Sequence, residues 1–201
     1  MDMARTRAQD FEEKQLAILD HAAKVLATMG FDKASMSQIA AQAQVSKALL
    51  YHYYPSRDAL VLAIVLTHLE KLDLALAAAD QPTLEPPARL RLLVGVVLEG
   101  YRGADDRHKV QLKAMSLLTA EQKQTITEVE RRIVRRFASV LRDINPHLDN
   151  KERPLLMPVT MSLFGMLNWT YMWFKDSGRL CREDYAAIAT TLILEGAKAV
   201  R

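Results

Sequence analysis

Residues 35–60 decide the fold, and they read SMSQIAAQAQVSKALLYHYYPSRDAL. Ser35 and Gln38 have the spacing of a capping box, in which each side chain accepts a hydrogen bond from the backbone of the other residue; this predicts the start of a short helix. Ser46 is a good N-cap and predicts a second helix just after a turn at residues 44–45. Two short helices joined by so tight a turn form a helix-turn-helix.

The second helix, predicted at residues 46–54, has one face for the protein interior and one for a partner. Leu50 and Tyr54 are four residues apart, so they share the face that packs on the first helix. The opposite face combines hydrogen-bond donors, small side chains and aromatic rings, namely Lys47, Ala48, Leu49, Tyr51, His52 and Tyr53. That combination suits the major groove of DNA, so this is the predicted reading helix.

Short segments around this motif occur in the order and spacing of one protein family: Gly30-Phe31, Ile39-Ala40, Val45-Ser46, Leu50-Tyr51 and the segment from Tyr53 to Arg57. Residues 16–62 thereby resemble the TetR family of one-component transcriptional regulators, and the whole chain resembles it in length and helical organisation. Gln44 and Ala48 depart from the family pattern, because members usually carry glycine there. If Gln44 takes the left-handed conformation, it costs roughly 1–2 kcal/mol relative to glycine.

The resemblance assigns roles to the residues around the reading helix. It implies that Lys47, Ala48 and Leu49 face base edges. Hydroxyl, imidazole and guanidinium groups suit phosphate oxygens, and the resemblance implies phosphate contacts for Ser46, Tyr51, His52, Tyr53 and Arg57. We include Ser35, which caps the first short helix, in the predicted DNA site. For the rings of Tyr51 and Tyr53, burial in the three-helix core is the alternative.

Composition narrows the class of protein. The chain has 201 residues, half of them hydrophobic, which is enough for a sizeable core in one or two helical domains. A single cysteine excludes an intramolecular disulfide, and no apolar run follows the basic N-terminal residues, so we expect a cytoplasmic protein without a signal peptide. Residues 1–60 carry seven Lys or Arg and seven Asp or Glu. The prediction of DNA binding therefore rests on where the donors lie.

The periodicity predicts an all-α fold, with an N-terminal three-helix helix-turn-helix head and a C-terminal helical effector and dimerisation domain. We place the boundary between residues 1–55, which include an N-terminal arm, and residues 56–201. Residues 1–9 are polar and are predicted to be a disordered arm, in which Arg5 and Arg7 contact phosphates or remain solvated.

Helix boundaries follow from caps and breakers. The first helix is predicted at residues 10–29, with Gly30 ending it in the left-handed conformation. A long fourth helix is predicted from Ser56 to about residue 79, as the connector to the second domain. The remaining helices are predicted at residues 88–101, 106–118, 120–144, 151–175 and 182–201. No strand-like alternation bounded by hairpin turns is present.

Residues 155–174 contain no charged side chain and are about as long as a bilayer-spanning helix. They also contain Pro158 and several polar residues, which favours a helix buried among its neighbours in a folded domain. We therefore expect no membrane partner, and a membrane span is the alternative.

No catalytic or metal-binding pattern is found in the sequence. The five histidines are scattered and no two have the spacing of a helical metal pair. No Gly-rich phosphate loop is present, and Cys181 is expected to be a cap or a surface thiol rather than a nucleophile. We predict no enzymatic activity, no catalytic residue, no metal and no cofactor.

Methionines beside aromatic rings suit an apolar pocket, although core packing is the alternative for each of them. The predicted ligand site contains Tyr101, Met115, Leu118, Phe137, Met161, Phe164, Asn168, Trp169 and Met172. The segment from Phe164 to Trp169, with Trp173-Phe174 and Gly178 to Leu180, resembles the acyl-CoA-responsive subset of the family, which implies an acyl-CoA effector. A basic cluster at residues 131–136 either meets a CoA phosphate or is a solvated helix face.

Together these features predict a ligand-responsive repressor that binds a palindromic double-stranded operator as a homodimer and is released by a small apolar effector. The resemblance implies that the last two helices of each subunit form the dimer interface. Two alternatives remain open: a drug-sensing regulator of an efflux pump, and a helical interaction module that does not bind DNA.

Overall fold

The computed structural model describes residues 2–199, without the side chains of residues 2–10 and Glu12. This part of the chain is helical and contains no β-strand; its one extended pairing is an isolated bridge between Asp149 and Pro154. A short 3-10 turn lies at Pro146–Leu148. The α-helices are α1 Asp2–Met29, α2 Met36–Gln42, α3 Lys47–Tyr53, α4 Arg57–Ala79, α5 Pro86–Gly100, α6 Asp105–Ala114, α7 Ala120–Ile144, α8 Leu156–Asn168, α9 Thr170–Trp173 and α10 Arg182–Ala199.

The chain packs as two compact units. The first contains the residues up to His68 and the segment Gly103–Ile126, and the second contains Leu69–Arg102 and the residues from Thr127 onward. α4 and α7 therefore each contribute to both units. The boundary between residues 55 and 56 was predicted as a division of function and remains a prediction, because these units describe packing alone.

The first unit is built on a small apolar core. α1 packs on α2 and on α6, and α2 packs on α3. The side chains that fill this core are almost wholly buried; they include Ile18, Ala22, Leu26, Ile39, Leu50, Leu60 and Ile64. An ion pair between Arg107 of α6 and Asp20 of α1 joins the two helices at the surface.

α1 starts earlier than the sequence predicted. It begins at Asp2, so the prediction of a disordered arm over residues 1–9 is wrong for residues 2–9. This segment contains no glycine or proline, and its Ala, Arg, Met and Gln residues are good helix formers, so nothing stops the helix from extending. The side chains of Arg5 and Arg7 lie outside the described part of the structure. Gly30 ends α1 with a φ of 80°, as predicted.

The second unit packs α10 against α5 and α8. α5 begins two residues earlier than predicted, because Pro86 and Pro87 occupy its first turn, where a missing N–H costs nothing. Its buried residues are Leu90, Leu93, Val94, Val97 and Leu98. α7 runs from Ala120 to Ile144 as predicted.

The apolar segment predicted as one helix over 151–175 is shorter and divided. α8 ends at Asn168 and α9 begins at Thr170. The Thr170 hydroxyl donates to the Leu167 carbonyl at 2.7 Å, and a hydroxyl that bonds to the backbone in this way competes with regular helix geometry. Among the described helices, none has the length and apolarity needed to cross a bilayer.

Candidate nucleic-acid interface and effector site

The capping box predicted at the start of α2 is confirmed. The Ser35 hydroxyl accepts from the Gln38 N–H at 3.2 Å, and the Gln38 side-chain oxygen accepts from the Ser35 N–H at 2.8 Å. The Ser35 hydroxyl also donates to that oxygen at 2.9 Å. Ser35 thus fixes the start of α2 with its own side chain, and its contact with DNA remains a prediction.

The turn between α2 and α3 fixes the direction of α3. Gln44 has a φ of 54°, the left-handed conformation in which glycine is favoured. The Val45 N–H donates to the Ala40 carbonyl at 3.0 Å, which closes the turn. Ser46 then caps α3, with its hydroxyl accepting from the Leu49 N–H at 3.1 Å. The prediction of a turn followed by an N-cap is confirmed.

α3 divides into a buried and an exposed face, as the sequence predicted. Leu50 is fully buried and Tyr54 nearly so. Burial, and to a lesser degree the neighbouring Tyr53, raises the pKa of the Tyr54 phenol above its usual value. On the other face Ser46, Lys47, Ala48, Tyr51 and His52 are exposed, whereas Leu49 and Tyr53 are half-buried.

Two aromatic contacts order this face. The Tyr53 ring lies 5.1 Å from the ring of Phe11 on α1, centroid to centroid, which explains its partial burial. The Tyr51 ring is 42% exposed, so the alternative that it belongs to the core does not hold in this structure. The Lys47 Nζ atom lies over that ring, 5.8 Å from its centroid.

Arg57 lies at the start of α4 and contacts the protein itself. Its Nη1 donates to the Phe31 carbonyl oxygen at 2.5 Å, which ties the loop after α1 to the beginning of α4. The structure thus gives Arg57 a role in holding the helix-turn-helix together. A phosphate contact through its remaining N–H groups stays a prediction.

In the second unit, four of the predicted ligand-site residues lie in the interior or next to it. The Tyr101 hydroxyl donates to the Asn168 side-chain oxygen at 2.7 Å. Burial raises the pKa of the Tyr101 phenol far above its usual value, and the charge of Glu130 raises it further. Phe137 and Phe164 are both buried and pack edge to face, with ring centroids 5.0 Å apart.

The other predicted ligand-site residues do not join these four within the second unit. Met161, Trp169 and Met172 are more than half exposed. Met115 and Leu118 belong to the first unit, where Leu118 is buried and Met115 is at the surface. Apolar composition alone did not distinguish side chains that face the interior from those that face outward.

Two surface clefts lie in the second unit, and neither contains a predicted ligand-site residue. One, of about 810 Å³, is lined by Ile144, Asn145, His147, Asn150, Glu152, Arg153, Leu155 and Lys198. The other, of about 510 Å³, lies between α5 and α10 and is lined by Arg91, Leu92, Gly95, Val96, Glu99, Glu183, Ala186 and Ala187.

An ion-pair network at the C-terminal end of α4 was not predicted from the sequence. Asp80 accepts from Arg89 on α5 at 2.7 and 2.9 Å and from Arg136 on α7 at 3.1 Å. The hydrogen bond from Arg89 is the main cause that lowers the pKa of the Asp80 carboxyl. Asp73, which lies on α4 seven residues before Asp80, accepts from Arg132 at 2.8 Å. The seven-residue spacing of the two acids was the available signal.

These pairs change the interpretation of the basic cluster on α7. Arg132 and Arg136 bind Asp73 on α4, and Arg136 also binds Asp80 just after that helix. Arg131 and Arg135 are exposed and lie about 100° further round the same helix segment. The cluster is therefore partly a means of packing α7 on α4, rather than four free cations at a CoA phosphate.

Comparisons with known proteins match both parts of the chain. Residues 18–64 match the family model described as bacterial regulatory proteins of the tetR family, and residues 83–197 match the Tetracyclin repressor-like C-terminal domain. A TetR-family regulator from Bordetella parapertussis 12822 has 29% sequence identity and a TM-score of 0.82, and the match covers 93% of this chain and 97% of that one.

Two further relatives carry informative names. AibR, solved in complex with isovaleryl coenzyme A and operator DNA, has 25% identity and a TM-score of 0.75, over 89% of this chain and 97% of that one. The HTH-type transcriptional regulator BetI of Rhizobium meliloti, strain 1021, is 34% identical over 83 residues, which are 41% of each chain. The chain spans about two fifths of the length of the curated relatives it matches.

Proposed function

Because this chain belongs to the TetR family of bacterial regulatory proteins, we propose that it is a ligand-responsive transcriptional repressor that leaves a palindromic operator when a small apolar effector binds. Members of this family are DNA-binding regulators and not enzymes. The proposal therefore concerns which residues bind DNA, how the subunits pair and what the effector is.

The exposed face of α3 is the observation that supports DNA binding most directly. Leu50 and Tyr54 anchor the buried face of α3 in the core, so Lys47, Tyr51 and His52 are presented together on a rigid element. An α-helix of this kind fits the major groove, where its N-terminal residues contact base edges and its flanks contact phosphates. The rival proposal of an interaction module without DNA binding gives no reason for this arrangement of donors.

Dimer formation is supported by apolar side chains left uncovered on α8 and α10. Met157 and Met161 lie one turn apart on α8, and Ile188 and Leu192 lie one turn apart on α10; all four are exposed in the subunit. Apolar residues that line one helix face need a partner surface. Phe164 is buried against Phe137 in the subunit core and does not belong to this exposed face.

The effector is an apolar acid carried as a CoA thioester in this proposal. AibR binds isovaleryl coenzyme A, and the resemblance of the two chains extends over the effector domain. Phe137 and Phe164 supply an apolar interior, and the Tyr101–Asn168 pair supplies hydrogen-bonding groups beside it. Apolar burial contributes roughly 25 cal/mol per Å² before ordering costs are subtracted, so longer or aromatic acyl chains bind more tightly than acetyl.

One observation favours a second candidate, a sensor of cationic drugs. Glu130 is near enough to Tyr101 for its charge to raise the pKa of that phenol. A half-buried carboxylate in the effector domain is a natural partner for a cation. Both candidates share the DNA-binding head and differ only in the ligand.

The test is a release experiment. Duplexes enriched from a randomised pool by the protein serve as the operator, and complex formation is followed by fluorescence anisotropy. We expect isovaleryl-CoA and aromatic acyl-CoAs to release the duplex at lower concentration than acetyl-CoA. Release by a cationic dye such as rhodamine 6G, with no release by any acyl-CoA, supports the drug-sensor candidate. Release by neither, from an intact complex, contradicts ligand-responsive repression.

A further inference from the structure

The contact between Lys47 and Tyr51 lies on the exposed face of α3 and is not used by any role given above. An ammonium group within about 6 Å of the centroid of an aromatic ring is attracted to its face, and here the separation is 5.8 Å. The two residues are four apart, so they lie on the same side of the helix. The charge of Lys47 is therefore held on the side of α3 that carries Tyr51.

The location of this charge has a physical cause. Lys47 is the first residue of α3, where the positive end of the helix dipole repels a cation. Contact with the Tyr51 ring gives this ammonium group an attractive partner and restricts a long, flexible side chain. The donor is thus ordered before DNA arrives, on the face that would enter the groove.

We propose that Tyr51 is a positioning residue for Lys47, and that Lys47 held in this way reads a guanine in each half-site of the operator. Lysine donates to guanine O6 and N7 in the major groove, whereas a phosphate contact carries no sequence information. An ordered donor loses less freedom on binding, which favours readout of one base. The inference rests on the DNA binding proposed above and adds the base that is read.

Tyr51 then has two groups whose effects can be separated. Its hydroxyl is the predicted phosphate contact and changes the affinity for all sequences alike. Its ring holds Lys47 and changes the discrimination between sequences. Tyr51→Phe removes the hydroxyl and keeps the ring, whereas Tyr51→Leu and Tyr51→Gln remove both. Lys47→Ala removes the donor itself. Because both side chains are exposed, these substitutions leave the buried face of α3 unchanged.

The experiment compares dissociation constants for an operator enriched from a randomised duplex pool by the unchanged protein. Each G·C pair is replaced by A·T, one position at a time and in both half-sites. We expect one position at which the parent protein loses at least about 5-fold in affinity and Lys47→Ala loses almost nothing. Tyr51→Phe should keep the parent's ratio of dissociation constants between the A·T and G·C duplexes at that position, while it binds every duplex more weakly. Tyr51→Leu and Tyr51→Gln should each lower that ratio by about threefold or more.

Two results overturn the inference. One is a Lys47→Ala variant that keeps the parent's ratio at every position. The other is full discrimination by both Tyr51→Leu and Tyr51→Gln at the position where Lys47→Ala loses it. Circular dichroism melts confirm that the compared variants are folded. If the parent protein itself enriches no duplex, the proposed function fails as well, and the two failures are thereby distinguished.

Discussion

Among single residues, Gln44 stores the clearest local strain. It is the one non-glycine residue with a positive φ in the described part of the chain. A left-handed conformation costs a residue with a Cβ roughly 1–2 kcal/mol, and glycine avoids most of this cost but loses more chain entropy on folding. This positive φ explains why family members usually carry glycine at this turn.

We therefore predict that Gln44→Gly raises the free energy of unfolding by about 0.5–1 kcal/mol. Urea denaturation measures the change. Gln42→Gly is the matched control, because Gln42 is the last residue of α2 and has a helical backbone, so the same substitution there should lower stability by up to about 0.5–1 kcal/mol. A Gln44→Gly protein less stable than the parent shows that the turn does not carry this strain.

The burial of Tyr101 makes the stability of the protein depend on pH in the alkaline range. The pKa of its phenol is raised in the folded protein, first by burial and then by Glu130, whereas in the unfolded chain it loses its proton near pH 10. The stability that the neutral phenol contributes is therefore complete below about pH 10 and is lost as the pH rises further. Tyr54 and Tyr185 have pKa values raised by burial too, so some alkaline slope is common to all variants.

We predict that Tyr101→Phe destabilises the protein by about 1–2 kcal/mol at pH 8, because the Asn168 oxygen loses its donor. The deficit should shrink between about pH 10 and pH 11, where the parent begins to lose the contribution of Tyr101. Urea unfolding at a series of pH values measures both effects. A deficit that is constant over this range contradicts the burial-based account of the pKa.

At the scale of helices, the sequence predicted most elements because their ends are marked locally. The capping box at Ser35, the caps at Ser46 and Ser56 and the left-handed Gly30 each act through groups within a few residues of one another. The start of α1 was missed because residues 2–9 carry neither a cap nor a breaker. The division after Asn168 was missed because it depends on one hydroxyl-to-carbonyl bond.

The candidate site was less predictable than the helices. The proposed DNA-reading face follows from spacing on one short helix, so the exposed and buried sides of α3 were correctly separated. The effector site depends on which faces of several helices meet. Phe164 and Met161 are three residues apart on α8, yet the first is buried and the second exposed. Composition carries no information about that choice when both residues are apolar.

Asp80 directly follows α4 and links the end of that helix to α5 and α7 in the second unit. Its side chain is 9% exposed and binds two arginines. We predict that Asp80→Asn lowers the free energy of unfolding by about 2 kcal/mol, because Arg89 and Arg136 each lose their shortest ion pair and keep only a longer one, to Asp143 and Asp73 respectively. The pKa of this carboxyl is lowered, so its contribution is present above about pH 4 and is lost as the pH falls further.

Asp143→Asn is the matched control for this prediction. Asp143 lies 3.8 Å from Arg89, but its side chain is 53% exposed, so removing its charge should cost less than about 0.5 kcal/mol. Guanidinium chloride screens such pairs, so urea is the denaturant of choice. Equal losses for the two variants show that burial does not strengthen the Asp80 pairs.

For the whole molecule, we predict that dimerisation depends on the apolar face of α8 and α10. Leu192→Arg and Met161→Arg should each raise the dimer dissociation constant at least about 100-fold, because an unpaired charge would be buried. Sedimentation velocity measures the change. Leu74→Arg, at an exposed apolar position of α4, should leave the dimer intact. Dimers of unchanged stability in both interface variants place the interface elsewhere.

The central claim, that α3 binds DNA, is tested most directly by duplex binding of the parent protein, Lys47→Ala and Lys71→Ala over a range of salt concentrations. Lys71 is an exposed lysine of the second unit, so the two variants carry the same change in net charge. The parent and Lys71→Ala should bind a duplex selected from a randomised pool equally well, with two chains per site. For both proteins the logarithm of the association constant should fall linearly with the logarithm of the salt concentration. Lys47→Ala should bind at least about 5-fold more weakly. Equal binding by all three proteins, or no duplex selected by the parent, would contradict the account.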